Sequence, residues 1–581
     1  MTGEKEMTGP KAPKDPEKMC PFFYIMREKE VFGAKQPDGT GIQFIYENDG
    51  RLINSAQITG NITDQPMLDL LKTTEGLNKL VHSIGVSVEC DNPEDKVMFI
   101  FQMYGKQDVY GGGSSLAVEM TADGMEHRIY LSEVLWTEDD FEPGQIRFVF
   151  DTPQKLAKAN VRFYLNDGYS APEVSEEGEV LLDSKQYQSM IKRSLMQTGN
   201  GARLMKTIQK AQKGERVTLA YIGGSITQGA GATPINSECY AYKSYQSFAK
   251  KYGTKDNIHF VKAGVGGTPS ELGMLRFERD IIRDGVLPDL VVVEFAVNDE
   301  GDETKGVCYE SLVKKILMLP NQPAVILLFS VFANDYNLQE RLSPVGKKYD
   351  LPMVSLKDAV TPQFSLKKEE GRVLSKNQYF YDVFHPSNLG HTIMADCLTN
   401  LFEEAFLLLQ EAKQEIPVDP TNQLLLGVPA IGDAFTRVKL MDKKDICDIC
   451  EITAGDFVET DTELQCVELD DQLSATPEFP YNWMYDGTKA DQKEPYLEAR
   501  IRAKAFLVIF KDSGAMDVGK ANIYVDGTFV RVADPHQNGW VHCNPVIAFQ
   551  NKKSEEHTIR IELVPEDRNK KFTILGFGYV E

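Results

Sequence analysis

The stretch Val217-Thr-Leu-Ala-Tyr-Ile-Gly-Gly-Ser-Ile-Thr227 runs from a continuous apolar segment directly into two glycines and a serine. Residues 289–295 and 324–330 are two further apolar runs of the same kind. Uninterrupted apolar runs of this length are typical of strands buried on both faces of a parallel sheet. Segments with helical periodicity alternate with these runs, at about 238–252, 269–284, 304–319, 335–349 and 387–412. Strands that alternate with helices predict a doubly wound α/β domain over residues 185–412.

The chain on either side of this domain is rich in short strand-like segments. Between residues 20 and 175 they are separated by turn signals such as Asn48-Asp-Gly50, and a second series fills residues 425–581. Many short strands joined by Gly, Asn and Asp turns are typical of β-sandwiches, so we expect one sandwich on each side. The acidic stretch 173–179 predicts a linker, and residues 1–19, rich in Lys, Glu and Pro, predict a disordered tail.

The chain of 581 residues is acidic, with 63 Lys and Arg against 86 Asp and Glu and a formal net charge of −23. Nucleic acids and anionic membranes both attract basic surfaces, so this composition argues against either partner.

The sequence contains no apolar run near the roughly 20 residues that span a bilayer. Its first residues contain no apolar signal segment. The nine cysteines are scattered rather than arranged as a disulfide framework, which predicts reduced thiols and a cytoplasmic protein.

Four short motifs in the predicted α/β domain carry polar groups suited to chemistry. Ser225 follows a buried strand at the edge where open α/β sheets bind ligands, and a helix starting there would aim free backbone N–H groups at a ligand. The glycines of residues 264–267 would let the backbone approach that ligand closely. Asn298 follows the most apolar strand and can aim its amide at an oxyanion. Asp382 and His385 can face one point from a single loop, where the carboxylate would orient the imidazole.

Each motif alone also has a structural interpretation. Ser225 can cap a helix, the glycines can form an ordinary turn, and Asn298 can cap or turn the chain. His385 can be a loop histidine paired with a nearby acid. The serine motif is not a P-loop, because no Gly-Lys pair follows, and not a Gly-x-Ser-x-Gly elbow, because Thr227 replaces the last glycine. All four motifs together are far more specific, since only a fold could join residues so distant in sequence.

Through these four motifs the sequence resembles the SGNH (GDSL-type) hydrolase superfamily over about residues 185–410. The serine, glycine, Gly-x-Asn-Asp and Asp-x-x-His blocks of that family correspond to residues 223–227, 264–267, 296–299 and 382–385. Three positions depart from the usual pattern. Gly224 stands where many members have Asp, Ala296 where Gly is usual, and Lys262 where Asn often precedes the glycine block. None of these departures removes a catalytic group, so they concern the subfamily rather than the chemistry.

The resemblance implies a flavodoxin-like three-layer α/β/α core with a parallel sheet, and a serine ester hydrolase that uses no cofactor or metal. It implies that Ser225 is the nucleophile and that His385 takes its proton and later gives it to the leaving alcohol. Asp382 would fix the histidine tautomer and stabilise the imidazolium. The oxyanion hole would consist of the Ser225 and Gly267 N–H groups and the Asn298 side chain.

The flanking sandwiches resemble the accessory domains of carbohydrate esterases, which remove acetyl groups from glycans. The C-terminal one is similar to a jelly-roll carbohydrate-binding module in which Trp483 and Trp540 would stack on sugar rings, although each could instead lie in a core or domain interface. We therefore expect O-acetylated oligosaccharides from plant hemicellulose, mannan or xylan, as the substrate. Two alternatives remain open: an SGNH lipase or esterase acting on non-carbohydrate acyl esters, and a non-catalytic glycan-binding protein.

Other polar residues have ordinary structural interpretations. Cys447 and Cys450 form a lone CxxC pair with no second pair, so a zinc ribbon is not supported. We expect His542 to be a loop residue rather than a metal ligand. His391 is expected to be structural, and Asp299 is expected in a solvated turn.

Overall fold

The computed structural model describes residues 21–36, 38–174, 177–467, 476–490 and 493–581. The predicted tail at residues 1–19 lies outside the described residues, as does the middle of the predicted linker. The described chain forms three successive parts, built around apolar cores of their own. None of the described helices is long and apolar enough to cross a membrane.

The N-terminal part consists of two antiparallel sheets that share one apolar core. Its strands are β1 (Phe22–Phe32), β2 (Ala34–Lys35), β3 (Gly41–Tyr46), β4 (Val81–Cys90), β5 (Lys96–Gly105), β6 (Ser115–Thr121), β7 (His127–Tyr130), β8 (Asp140–Phe150) and β9 (Leu156–Leu165). The strand orders are β1-β9-β4-β7 and β2-β3-β8-β5-β6. Three short helices, α1 (Arg51–Ile58), α2 (Gln65–Leu70) and α3 (Thr74–Leu80), connect β3 to β4. Alternate residues of both sheets, such as Val161 and Phe148, face the shared core.

The central part contains one six-stranded sheet. Its strands are β10 (Leu195–Gln197), β11 (Val217–Gly223), β12 (Ile258–Gly264), β13 (Leu290–Glu294), β14 (Ala324–Phe329) and β15 (Met353–Ser355), in the order β10-β15-β14-β13-β11-β12. The pairs among β11 to β15 are parallel, whereas β10 pairs with β15 in the antiparallel direction. The prediction of an all-parallel sheet is therefore wrong at one edge. A strand of only three residues carries too little periodicity for the sequence to reveal it.

Helices cover both faces of this sheet. They are α4 (Lys185–Lys192), α5 (Ala202–Gln212), α6 (Ser225–Gln228), α7 (Ile235–Glu238), α8 (Tyr240–Tyr252), α9 (Ser270–Ile281), α10 (Val307–Leu317), α11 (Gln339–Lys348), α12 (Leu356–Phe364), α13 (Lys376–Tyr379) and α14 (Asn388–Glu411); α15 (Thr421–Leu425) follows. In β11, Leu219 and Tyr221 belong to one apolar core and Ala220 and Ile222 to the other. Successive strand residues point to opposite faces, so the sheet is buried on both sides. The five helices predicted from periodicity are α8, α9, α10, α11 and α14.

The C-terminal part is almost entirely β-structure. Its strands are β16 (Lys439–Met441), β17 (Cys450–Thr453), β18 (Cys466–Val467), β19 (Thr476–Pro477), β20 (Trp483–Asp486), β21 (Tyr496–Asp512), β22 (Ala521–Val525), β23 (Thr528–Ala533), β24 (His542–Leu563) and β25 (Lys571–Val580). Apart from the β18–β19 pair, they form one connected antiparallel assembly of eight strands. This pairing does not divide them into two sheets, so the sandwich expected here stays a prediction. Leu507 and Ile509 of β21 share an apolar core with Leu275 of α9, which docks this part on the central one.

Candidate active site

Ser225 lies at the carboxyl edge of the central sheet. Strand β11 ends at Gly223, and Ser225 is the first residue of α6. A Cβ atom on Gly223 would lie 2.4 Å from the carbonyl oxygen of Glu294, and one on Gly224 would lie 2.1 Å from Asn298 Oδ1. Two glycines are therefore required for the chain to turn into a helix so close to the end of β13. The same close approach places the Asn298 amide beside the serine motif.

The structure brings Ser225, His385 and Asp382 into one hydrogen-bonded series. Ser225 Oγ lies 3.0 Å from His385 Nε2, and His385 Nδ1 lies 2.8 Å from Asp382 Oδ2. The other carboxylate oxygen, Asp382 Oδ1, accepts the backbone N–H groups of Phe384 and His385, each at 2.8 Å. These two backbone bonds close a tight turn between α13 and α14, so the carboxylate is held in the direction of the imidazole.

The electrostatics of Asp382 favour its ionised form. Burial raises the pKa of Asp382, but the neighbouring His385 and the two backbone N–H groups outweigh this effect and hold the pKa below its ordinary value. The carboxylate is therefore charged at neutral pH and accepts a hydrogen bond from the N–H group at His385 Nδ1. With that proton on Nδ1, the lone pair of Nε2 faces the hydroxyl of Ser225. The arrangement can remove a proton from a serine that attacks a carbonyl carbon.

The predicted oxyanion donors lie on two sides of Ser225. As the first residue of a helix, Ser225 has a backbone N–H that no helical carbonyl accepts. The turn after β12 passes beside it, since a Cβ on Gly266 would lie 3.9 Å from Ser225 Cβ. Gly267 has a φ of +68°, which glycine adopts without strain. Asn298 touches the serine motif from the turn that follows β13. All three groups named in the sequence are thus near the serine, and their catalytic role stays a prediction.

The C-terminal part contacts this glycine turn, which the sequence motifs did not reveal. Gln465 Nε2 donates a hydrogen bond to the carbonyl oxygen of Gly266 at 2.7 Å. His542 Nε2 donates to the carbonyl oxygen of Gly267 at 3.1 Å. His542 is the buried first residue of β24, so the expected loop position is wrong: the domain interface buries it against a carbonyl group that needs a donor. The Trp540 ring lies against Gly267, 2.9 Å from where a Cβ would be, and stays 43% exposed.

Trp483 does not reach the site. It is 2% exposed and packs against Phe577 in the core of the C-terminal part, with ring centroids 5.3 Å apart. A side chain inside a core cannot stack on a sugar ring, so the prediction of a substrate-binding Trp483 is wrong. The physical reason is its place on β20, which pairs with β25 and turns the indole inward.

Two polar residues near the site have structural roles. Asp299 is fully buried and accepts hydrogen bonds from Ser270 N at 2.7 Å and Ser270 Oγ at 2.8 Å. It ties the start of α9 to the end of β13, so the expected solvated turn is wrong. His391 is buried, donates from Nε2 to the carbonyl of Ala230 at 3.0 Å and accepts from Tyr240 N at Nδ1. Its predicted structural role is confirmed.

Glu294 is a buried carboxylic acid that the sequence reading missed. It ends β13, and Thr227 Oγ1 in α6 donates to its Oε2 at 3.2 Å. Burial raises the pKa of Glu294 to about 7, and nearby hydroxyl groups and His385 only partly offset this effect. An acid that titrates near neutral pH therefore lies beneath the helix that carries Ser225. The only sequence signal for this buried acid is an acidic residue at the end of an apolar strand.

Lys29 connects the N-terminal part to the loop that carries Asp382 and His385. Its side chain is buried, and its Nζ donates to the carbonyl oxygens of Asn377, at 3.0 Å, and Phe380. Burial lowers the pKa of Lys29 to about 8, although Glu177 and Asp382 counteract this. No local pattern distinguishes this lysine from the many exposed ones, so the sequence reading missed it.

Among the described residues, one group of side chains could hold a metal ion: Glu271, Asp302 and Cys308. Burial and the neighbouring Asp302 raise the pKa of Glu271 to about 10. Glu271 is therefore protonated at neutral pH and can share its proton with Asp302.

Comparison with known proteins relates the central part to a family of ester hydrolases. Residues 221–393 match the model of the GDSL-like Lipase/Acylhydrolase family. The chain thus carries a GDSL-like ester hydrolase domain, as its four motifs indicated. No curated protein sequence matches the chain.

Solved structures share the fold of a larger part of the chain. Two structures of a two-domain esterase (CEX) active on acetylated mannans, the first co-crystallised with mannopentaose, are 24% and 23% identical, with TM-scores of 0.53 and 0.54. Each comparison covers 67% of this chain and 99% of that esterase. A family two carbohydrate esterase from Cellvibrio japonicus is 9% identical with a TM-score of 0.23, over 67% of this chain and 98% of its own.

Proposed function

We propose that the protein is a carbohydrate O-acetylesterase that removes acetyl groups from hemicellulose-derived oligosaccharides, from mannan rather than xylan. The observation that carries the proposal is the hydrogen-bonded series Ser225–His385–Asp382 at the carboxyl edge of a GDSL-like sheet. The choice of mannan is supported by the fold shared with an esterase described as active on acetylated mannans.

The proposed mechanism has two steps. Ser225 Oγ attacks the acetyl carbonyl while His385 Nε2 takes its proton, and the oxyanion binds to the N–H groups of Ser225 and Gly267 and the amide of Asn298. His385 then protonates the sugar oxygen, which leaves as an alcohol. Water, activated by the same histidine, attacks the acetyl-enzyme and releases acetate. Asp382 holds the imidazole and stabilises its charged form throughout.

The position of Trp540 supports a carbohydrate as the alcohol part of the ester. Its indole is partly exposed and lies directly against Gly267, next to the predicted oxyanion hole. An exposed aromatic ring offers a flat apolar face to the C–H groups of a pyranose. The C-terminal part would therefore act as a carbohydrate-binding accessory of the catalytic domain.

Two alternatives make different predictions. A lipase or esterase for non-carbohydrate acyl esters would cleave long-chain acyl esters faster than acetylated sugars. A non-catalytic glycan-binding protein would release no acetate at all, which the intact hydrogen bonds of Ser225, His385 and Asp382 argue against.

The direct test is a panel of acetylated oligosaccharides from mannan and xylan, with loss of acetyl groups read by mass spectrometry. The wild type should deacetylate the mannan series fastest, and Ser225→Ala should lose more than about a thousandfold in kcat. Ser365→Ala, an exposed serine of the same domain, is the matched control. Full activity of Ser225→Ala would overturn the mechanism. No acetyl loss from any glycan, with rapid cleavage of long-chain esters, would favour the lipase.

A cytoplasmic location remains part of the proposal, with imported oligosaccharides as the substrate and neither nucleic acid nor membrane as a partner. It is supported by the described cysteines, which all have free thiols. Fractionation of cells that express the full chain, followed by an esterase assay of each fraction, tests it. Activity confined to the extracellular or membrane fraction would contradict it.

A further inference from the structure

A cavity of about 810 Å³ lies between the N-terminal part and the loop that carries Asp382 and His385. The central part contributes these two residues and the segment 230–236 to its lining. The N-terminal part contributes the opposite wall, which includes Ile42 and Phe44 of β3. A residue of the proposed triad and a strand of another domain therefore face the same space.

The wall formed by β3 presents a row of apolar side chains. Ile42, Phe44 and Tyr46 alternate along the strand, so they lie on one face of the sheet. Phe44 is 38% and Tyr46 54% exposed, although large aromatic side chains gain free energy from burial. Both also line a smaller neighbouring cavity of about 190 Å³, which His385 lines as well. The exposed row thus runs along the site rather than away from it.

Hydrogen bonds hold the N-terminal part against the segment that leads to His385. Lys29 belongs to β1, which contacts β3. Glu177, in the segment between the N-terminal and central parts, accepts from Ser375 Oγ at 2.6 Å and from Asn377 Nδ2 at 2.9 Å. Ser375 and Asn377 begin the segment that leads to Asp382. The segment that leads to Asp382 is therefore fixed to β1 of the N-terminal part, and β3 lies in contact with β1.

The position of the cavity identifies its occupant. His385 must protonate the leaving oxygen, so the alcohol part of the ester lies on the histidine side of the site, while the acyl oxygen faces the oxyanion donors. Lys35 and Gln154, which also line the cavity, carry groups that can bond to hydroxyls. An aromatic face flanked by polar side chains suits a saccharide.

We infer that β3 of the N-terminal part forms a saccharide subsite, in which Phe44 packs against the sugar unit next to the acetylated one. This inference rests on the proposed function, because it takes the alcohol part of the ester to be a glycan. It assigns the N-terminal part a role in selecting long substrates.

The test compares Phe44→Ala, Phe44→Tyr and Tyr130→Ala with the wild type. Tyr130 is a matched control, since it is 39% exposed, lies in the other sheet and lines neither cavity. The substrates are 4-nitrophenyl acetate, an acetylated mannose and an acetylated mannopentaose. Phe44→Ala should keep its rate on the first two and lose about fivefold to tenfold in kcat/KM on the third, mainly through KM. Phe44→Tyr should restore it, and Tyr130→Ala should match the wild type.

Each other outcome is decisive. Unchanged cleavage of the pentaose by Phe44→Ala, or an equal loss on 4-nitrophenyl acetate, would overturn the subsite and leave the proposed function intact. With a long-chain 4-nitrophenyl ester assayed beside these substrates, a loss confined to that ester would assign the cavity to an acyl chain instead. If the wild type cleaves 4-nitrophenyl acetate but no acetylated saccharide, the proposed function fails and the subsite with it.

Discussion

The imidazole of His542, in the C-terminal part, donates a hydrogen bond to the backbone carbonyl of Gly267, in the catalytic domain, over 3.1 Å. Burial lowers the pKa of His542, so the ring is neutral at neutral pH. Its other nitrogen, Nδ1, lies 3.3 Å from Asn538 Nδ2 and 3.0 Å from Asn544 Oδ1. His542 thus holds the peptide group that follows Gly267, and Gln465 holds the preceding one through the carbonyl of Gly266. That preceding peptide group carries the Gly267 N–H, a predicted oxyanion donor, so the C-terminal part fixes this turn on both sides.

His542→Ala should therefore reduce kcat on 4-nitrophenyl acetate by about tenfold, less than the loss of a whole oxyanion donor. KM for this small ester should hardly change, because it does not reach the C-terminal part. His536→Ala, an exposed histidine of the preceding loop, should behave as the wild type. An unchanged kcat for His542→Ala would mean that Gly267 needs no support from this contact.

Asp382→Asn should lower kcat by about a thousandfold or more while the melting temperature stays within a few degrees. The backbone N–H groups of Phe384 and His385 require an acceptor, so the amide oxygen would face them and the NH₂ group would face His385 Nδ1. That arrangement places the ring proton on Nε2, where it blocks proton transfer from Ser225. Steady-state kinetics beside a thermal melt separate this effect from unfolding; a kcat within tenfold of wild type would contradict it.

Replacing the two tryptophans of the C-terminal part should have different effects, one on stability and the other on substrate binding. Trp483→Ala empties a core position and should cost about 3–5 kcal/mol of unfolding free energy. Trp540→Ala should leave the melting temperature unchanged and raise KM for acetylated oligosaccharides about fivefold to tenfold. Thermal melts and oligosaccharide kinetics on both variants check this; a large stability loss for Trp540→Ala would place it among structural residues.

Glu294 should make stability depend on pH. Its folded pKa of about 7 exceeds its unfolded value, so between pH 4.5 and 7 the folded state keeps a proton that the unfolded state releases. The unfolding free energy therefore falls as pH rises through this window, by about 3 kcal/mol from this residue. Glu294→Gln keeps an acceptor for Thr227 and should lack this fall in urea unfolding at pH 5 and pH 8. Glu340→Gln, at an exposed position, is the control; parallel curves for Glu294→Gln and wild type would refute the assignment.

Lys29→Met should weaken the link between the N-terminal part and the catalytic loop. It leaves the carbonyl groups of Asn377 and Phe380 buried without their donor, at about 1–3 kcal/mol for each. We expect a lower melting temperature together with a lower kcat on 4-nitrophenyl acetate, since this loop leads to Asp382. Lys72→Met, which removes an exposed ion pair, should change neither. A stability loss without any loss of kcat would make Lys29 purely structural.

Local patterns predicted the central domain well. The apolar run of β11, the helices α8 to α11 and α14, and the four motifs all follow from residues close together in sequence. The antiparallel edge strand β10 was not predicted, because three residues are too few to show the alternating pattern of a strand. The prediction for Asp299 was wrong because a carboxylate after a strand is typical of a solvated turn. Its burial depends on Ser270, a distant residue that donates two hydrogen bonds to it.

The sequence by itself determined the class of the central domain and which side chains could act, because periodicity and motif spacing are local properties. The tertiary structure decided which residues meet. Trp483 and Trp540 have similar sequence surroundings, yet one fills a core and the other lies against Gly267. Lys29, His542 and Phe44 reach the site from flanking parts through contacts between distant residues, and such contacts depend on how strands pair and domains dock, which no local pattern encodes.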